Sequence, residues 1–191
     1  MTPGVQRDDN WQEWWDARVD AMRPILGEPR GGCFHAPVPF YLGGGADVIA
    51  FEHHVAGIVL VTNDLIGDDQ QIKNDDGWYE LMLCLPSLDH WPGAPTLLSN
   101  LARYTRDARL NPFATMDIGP ALPKGATISA FAFITYAKFT VKDCPASLLL
   151  CLGITQAELD AWRSKKVEDL VGLLKLEGVF PFTDLSRASV I

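Results

Sequence analysis

The chain has 191 residues, 48% hydrophobic and 21% charged, with a formal net charge of −8. That suffices for one domain with a substantial core, and it is too apolar for a disordered segment. The acidic balance argues against nucleic acid and anionic membranes as partners, since both would be repelled, and it is compatible with a basic protein. The first ten residues hold no apolar signal core, and the longest apolar runs, Ile58–Val61 and Leu148–Leu152, are too short to span a bilayer. Cysteines 33, 84, 144 and 151 show no CxxC spacing, so reduced thiols in a cytoplasmic protein are the expectation.

Asp8 and Asp9 can cap a helix running from about Asn10 to Met22. Its Trp11, Trp14, Trp15, Arg18, Val19 and Met22 recur at helical spacing and predict a seat on the core, with docking of a partner as the competing use. Pro24, Gly27 and Pro29 predict a loop after it. Gly43-Gly44-Gly45 lacks both GxGxxG and GxxxxGK[ST] and reads as a turn. Val48–Val55 and Ile58–Asn63 flank Ala56-Gly57 as a hairpin. Residues 64–77 form an acid-rich loop. Trp78–Leu85, bounded by Gly77 and Pro86, then reads as a buried central strand. Its one charge, Glu80, must find a partner there.

Pro95 suits the first turn of a helix that carries Leu97, Leu98, Leu101 and Tyr104 or Thr105 on one face and ends near Arg109. Residues 111–125 read as loop, and Thr127–Tyr136 and Ser147–Leu152 as strands. Thr155-x-x-Glu158 is a capping box opening a helix to about Arg163. A further helix from Lys166 to Glu177 places Val167, Leu170, Val171 and Leu174 on one face, with Gly178 at the C′ position. The tail, with Val179, Phe180, Phe182 and Leu185, is too apolar to be loose and is expected to dock as a strand or extended arm. The pattern is α/β, bordering on α+β: a single domain with a mixed sheet flanked by helices. Residues 1–36 form a lead-in helix and loop packed on a body of residues 37–191.

Catalytic and metal signatures are weak. His53 and His54 follow Glu52, but neighbouring side chains of a strand point to opposite faces. His35 and His90 are read as having no ligand spacing to a cysteine. GxSxG is absent, and 64–76 lacks the Asp-x-Asp-x-Asp-Gly order of a calcium loop. The expectation is therefore no metal, no cofactor and no catalytic residue, with no hydrolase activity dependent on His53 or Cys84. The rival is an enzyme with a pocket lined by His35, His53 or Cys33. On its residues alone, the acidic loop reads equally as a solvated loop or a binding loop.

Several stretches, taken together, resemble the suppressor of fused domain family. They are Tyr41-Leu-Gly-Gly-Gly-Ala-Asp47, Asp64-Leu-Ile-Gly-Asp68, Gly77-Trp-Tyr-Glu-Leu81 and Leu98-x-x-Leu-Ala-Arg-Tyr104, followed by Leu152-Gly-Ile-Thr-x-x-Glu-Leu159 and Thr183-Asp-Leu-Ser-Arg187. Their order covers roughly four-fifths of the chain. Two positions depart from the family pattern. Ile66 stands where tyrosine is frequent, and residues 113–120 lack the Gly-His-His that precedes Met-Asp.

The resemblance implies a non-enzymatic protein-interaction domain like the family's N-terminal domain. Animal members bind a zinc-finger transcription factor of the Hedgehog pathway, clamping an extended peptide between this domain and a second one. Bacterial single-domain members include immunity proteins that neutralise a cognate toxin. This chain has room only for the first domain. The resemblance also tips the acidic loop toward binding. Asp64, Ile66, Asp68, Asp69, Asp75 and Asp76 are the expected partner-binding residues, and a protein or peptide, in bacteria a basic toxin, is the expected ligand. Five aspartates against Lys73 give the loop a field that favours a basic ligand. A regulatory scaffold is the other binding role.

Overall fold

The computed structural model describes residues 9–164 and 167–191, and its centre is β3 (Trp78–Leu85), buried along its whole length. Six strands form one mixed sheet in the order β1-β2-β3-β6-β5-β4. The others are β1 (Val48–Phe51), β2 (Ile58–Thr62), β4 (Thr115–Asp117), β5 (Ile128–Val141) and β6 (Cys144–Thr155). The β3–β6 pair is parallel and every other pair is antiparallel.

Both faces of this sheet are covered, which explains why β3 is apolar throughout except at Glu80 rather than alternating. Tyr79, Leu81, Leu83 and Leu85 face one core cluster, together with Leu98 and Leu101 of helix α2 (Ala94–Tyr104). Met82 and Cys84 face the other, with Met22 and Leu26 of helix α1 (Asp9–Leu26). Helix α3 (Gln156–Arg163) and helix α4 (Val167–Leu176) add Leu159, Trp162, Leu170 and Leu174 to that second cluster. The single domain with helices on a mixed sheet is thus as the sequence indicates, and so is the α2 face.

Local signals explain several boundaries. Thr155 accepts from the Glu158 N–H while the Glu158 carboxylate accepts from the Thr155 N–H, so the capping box forms in full. Gly178 has φ +70, as a left-handed helix stop requires. Elsewhere the structure corrects the boundaries. Helix α1 runs through Pro24 to Leu26: Pro24 cannot donate to the carbonyl of Asp20, an exposed residue, and Gly27 closes the end by donating to the Arg23 carbonyl at 2.9 Å. That extra turn buries Leu26. Strand β1 stops at Phe51, short of Val55, and β4 lies inside the expected loop 111–125. Strands β5 and β6 run on until they meet at Lys142-Asp143, a two-residue turn with both φ values positive. Glycine or asparagine would normally mark such a turn. Asp8 and Lys166, expected at two helix starts, lie outside the described residues.

Glu80 finds its partners on the α1 side of β3. Its carboxylate accepts from the Leu65 and Ile66 N–H groups, both at 2.9 Å, and from the Thr62 hydroxyl at 2.5 Å. Arg18 lies 3.8 Å away and donates to the Ile66 and Asn63 carbonyls. One carboxylate thus ties β3, β2, the 64–68 loop and α1 together.

The tail docks as an extended arm. Phe182 bridges Cys84 of β3, and Thr183 donates to the Cys84 carbonyl while its hydroxyl accepts from Gly153 N–H at 2.8 Å. Gly153 is required there, since a Cβ would come within 2.6 Å of Thr183 Cγ2. Arg187 ends the arm in an ion pair with the fully buried Glu158.

Replacing Glu80 with Ala leaves two buried N–H groups and a hydroxyl without their acceptor and takes a carboxylate from beside the buried Arg18. Denaturant unfolding should register a loss of about 3 kcal/mol or more. A loss under about 1 kcal/mol would show that the brace is dispensable. Burial pushes Glu80 up to about 7, against the opposing pull of Arg18 and the bonds from Ile66 and Thr62. The folded state therefore holds this proton more tightly than the unfolded chain, and stability from Glu80 falls as pH rises from about 4.5 to about 7. Glu80→Gln lacks that titration, so the stability of wild type minus variant should decline across this window; a constant difference would refute the assignment.

Truncation after Gly178 removes the arm, and thermal melting should show an unfolded or strongly destabilised protein. An unchanged melting temperature would mean the arm is ornamental.

Candidate functional site

Beside the Glu80 brace, α1, the 35–47 segment and the 64–68 loop enclose a cavity of about 490 Å³. Trp11 and Trp14 of α1 wall one side, and Phe40, Tyr41 and Leu42 of a 3₁₀ turn wall the other. The walls are therefore aromatic, while Asp47, Asp64, Asp68, Arg18 and His35 supply polar lining. The stripe seats helix α1 on the core, with Met22 and Arg18 buried, while the half-buried Trp11 and Trp14 line the cavity.

Each polar group is held by its neighbours. Asp64 accepts from the Trp11 indole N–H at 3.2 Å and from the Asp47 backbone N–H at 2.7 Å, with Arg18 at 3.9 Å. Burial lifts the Asp64 carboxyl above the usual carboxylate range, and the bond from the Asp47 N–H only partly offsets this. Asp47 accepts from the Ala36 N–H at 2.9 Å and pairs with His35 Nδ1 at 2.8 Å. Gly67 has φ +90 and lies under the Trp14 ring, where a Cβ would approach within 2.6 Å, so only glycine lets helix and loop close here.

The six expected partner-binding residues do not form one cluster in the bonding pattern. Asp64 and Asp68 line the cavity. Ile66 is fully buried against Trp78, Val141 and Ala146, where it anchors the loop from beneath. Asp69 is exposed beside the cavity loop. Asp75 and Asp76 belong to the far end, with Asp75 near Arg109 at 3.5 Å and Asp76 bonded to Lys138 and Thr135. Burial pulls Asp76 up, yet the Lys138 and Thr135 bonds outweigh it and hold the carboxyl below its usual range.

The residues of the rival enzyme reading separate. His53 is exposed on the β1–β2 connection, and His54 turns to the Tyr136 hydroxyl at 2.6 Å. Burial pushes the Cys84 thiol up to about 12, so it holds no thiolate at neutral pH. His35 and Cys33 do come together, with Asp47: one donor atom from each lies within 4.8 Å of the others. Sequence reasoning missed this group. The signal was Cys33-x-His35 on an extended strand-like segment, whose pairing to Asp47 becomes visible only once Phe34 is seen to bridge Val48.

Next to the cavity mouth the chain leaves large apolar side chains in solvent. Phe34, Val38, Tyr41 and Leu42 are between 40% and 61% exposed. Among the described residues, no helix is long and apolar enough to cross a membrane.

Comparison with known proteins fits this architecture. The chain is similar to a suppressor of fused homologue from Neisseria gonorrhoeae, solved by crystallography, at 16% identity and TM-score 0.65, covering 94% of this chain and 98% of that one. It is also similar to a chain in the crystal structure of the Sufu–Fu complex, at 13% identity and TM-score 0.69, covering 94% and 91%. No curated protein matches the sequence. At these identities the two structures speak for the fold alone. The family model described as suppressor of fused protein matches residues 49–188, nearly three-quarters of the chain, and the chain therefore belongs to the suppressor of fused family.

Proposed function

We propose that this chain is a non-enzymatic protein-interaction domain that captures a basic partner at the acidic cavity. In a bacterial setting the role is that of an immunity protein holding a cognate toxin inactive. One observation carries the reading: the exposed apolar segment Phe34, Val38, Tyr41 and Leu42 borders a cavity lined by Asp47, Asp64 and Asp68. Contiguous apolar surface beside like charges is the chemistry of an interface, where aromatic and aliphatic anchors give affinity and charge gives steering. The net charge of −8 favours the same class of partner. Family membership supports it too, since the Sufu–Fu structure is of a protein complex. Asp64, Ile66, Asp68 and Asp69 belong to this surface, with Ile66 as its buried support. Asp75 and Asp76, paired with Arg109 and Lys138 at the far end of the loop, stand apart from it. A regulatory scaffold would use the same surface on a different partner.

The test uses the products of neighbouring reading frames, purified and measured for association with the full chain. Tyr41→Ala and Leu42→Ala should speed dissociation of the cognate partner tenfold or more, as loss of anchors does. Asp68→Asn with Asp69→Asn should slow association and flatten its salt dependence while leaving the melting temperature in place. Unchanged rates in both sets would put the interface elsewhere on the domain.

A further inference from the structure

The Cys33, His35 and Asp47 group lies outside the Glu80 brace, at the rim of the cavity that His35 and Asp47 help to line. Phe34 and Val48 exchange both backbone hydrogen bonds, at 2.9 and 3.0 Å, as an antiparallel pair. His35 is therefore directly opposite Asp47, at the kind of position where cross-strand side chains approach most closely. Cys33, two residues from His35 on an extended segment, projects to the same side. One short ladder thus places a thiol, an imidazole and a carboxylate on a single face.

We propose that Cys33, His35 and Asp47 bind a zinc-class transition-metal ion through Sγ, an imidazole nitrogen and a carboxylate oxygen. Ligand bonds of about 2.0–2.3 Å put the corners of a tetrahedron about 3.3–3.8 Å apart. The donor atoms here lie within 4.8 Å of one another, so closing the widest pair needs a movement of no more than about 1.5 Å. The 2.8 Å His35–Asp47 contact opens slightly and is replaced by two metal bonds. On binding, Cys33 releases its thiol proton to solvent and His35 enters as neutral imidazole. Thiolate and carboxylate together balance the charge of a divalent ion.

The surroundings are arranged as a support for such a ligand set. The second oxygen of Asp47 is held by the Ala36 N–H, and the Asp47 N–H is held by Asp64. These bonds fix the carboxylate's direction, as outer partners of metal ligands do. Sulfur and nitrogen donors select zinc, cobalt or copper over calcium and magnesium, which take oxygen ligands. Three protein ligands, with His35 59% exposed at its side chain, leave a fourth position to water.

Cobalt(II) is the probe. The full chain, stripped with chelator and kept reduced, is titrated with Co(II) and then with Zn(II) as competitor. The expected result is a thiolate-to-cobalt charge-transfer band that saturates at one ion per chain and is abolished by Zn(II). Cys33→Ala should remove the band and His35→Ala should weaken binding at least tenfold. Cys144→Ala, which removes the other half-buried thiol, should leave both unchanged. Near-ultraviolet circular dichroism confirms that each variant is folded. As a second readout, zinc should slow alkylation of Cys33 by iodoacetamide at least tenfold in wild type. A band that persists in Cys33→Ala, a wild-type titration without a saturable band, or an alkylation rate indifferent to zinc would each overturn the proposal.

Discussion

A carboxylate buried in the middle of an apolar strand is the constraint on which the rest of this structure hangs. Glu80 has no exposed surface, and burying its charge would be prohibitive without compensation. Thr62, Leu65, Ile66 and Arg18 supply that compensation, and they come from three separate parts of the architecture. Meeting one charge's demand therefore positions β2, the 64–68 loop and α1 at once. Asp64 inherits its place from this loop and passes it on to Asp47 and Trp11. Glu80 also settles register. With apolar residues on both faces of β3, a one-residue slip would leave the hydrophobic count nearly unchanged, but it would turn this carboxylate toward Leu98 and Leu101.

The two ends of the acidic loop show how like residues acquire unlike roles. Asp76 is committed to Lys138 and Thr135, and Asp75 faces Arg109, so both are largely neutralised within the domain. Asp64 is engaged at the cavity and shielded by Trp11 and Arg18. The Asp68 carboxylate accepts from the Gln70 N–H in a local turn, and the residue lines the cavity. A local count of five aspartates against one lysine thus overstates the free charge, because arginines and lysines distant in sequence fold back onto the loop.

What could be read in the sequence was whatever local chemistry determined. Trp78–Leu85 stood out because a doubly covered strand has no polar face to confuse it with an amphipathic helix. The Thr155/Glu158 box and Gly178 stood out because capping is a matter of adjacent residues. What stayed hidden depended on partners far along the chain. Strand β4 is three residues long and exists because β5 offers it an edge. The Lys142-Asp143 turn accepts two left-handed residues in part because Lys142 pairs with Glu13 and lies over Trp14, a tie to α1 that no local pattern records. Of the cavity, the aspartates and tryptophans were legible as residue types. Their convergence was not, since Arg18, Asp47 and Asp64 meet only through the Glu80 brace, and Ile66 gives no local sign of pointing inward.

The extended arm after α4 has a consequence for the birth of the molecule. Thr183 closes bonds to Cys84 in β3 and to Gly153 in β6, two strands that lie far earlier in the chain. During synthesis both strands are made well before the segment that completes them. A nascent chain therefore lacks the bonds that tie the ends of these two interior strands together until the arm has left the ribosome. Contacts of such long sequence separation form late and slowly, and partly assembled sheets of this kind attract other chains. The domain's last closing contacts thus lie near the end of this sequence, while the strands they join were made long before.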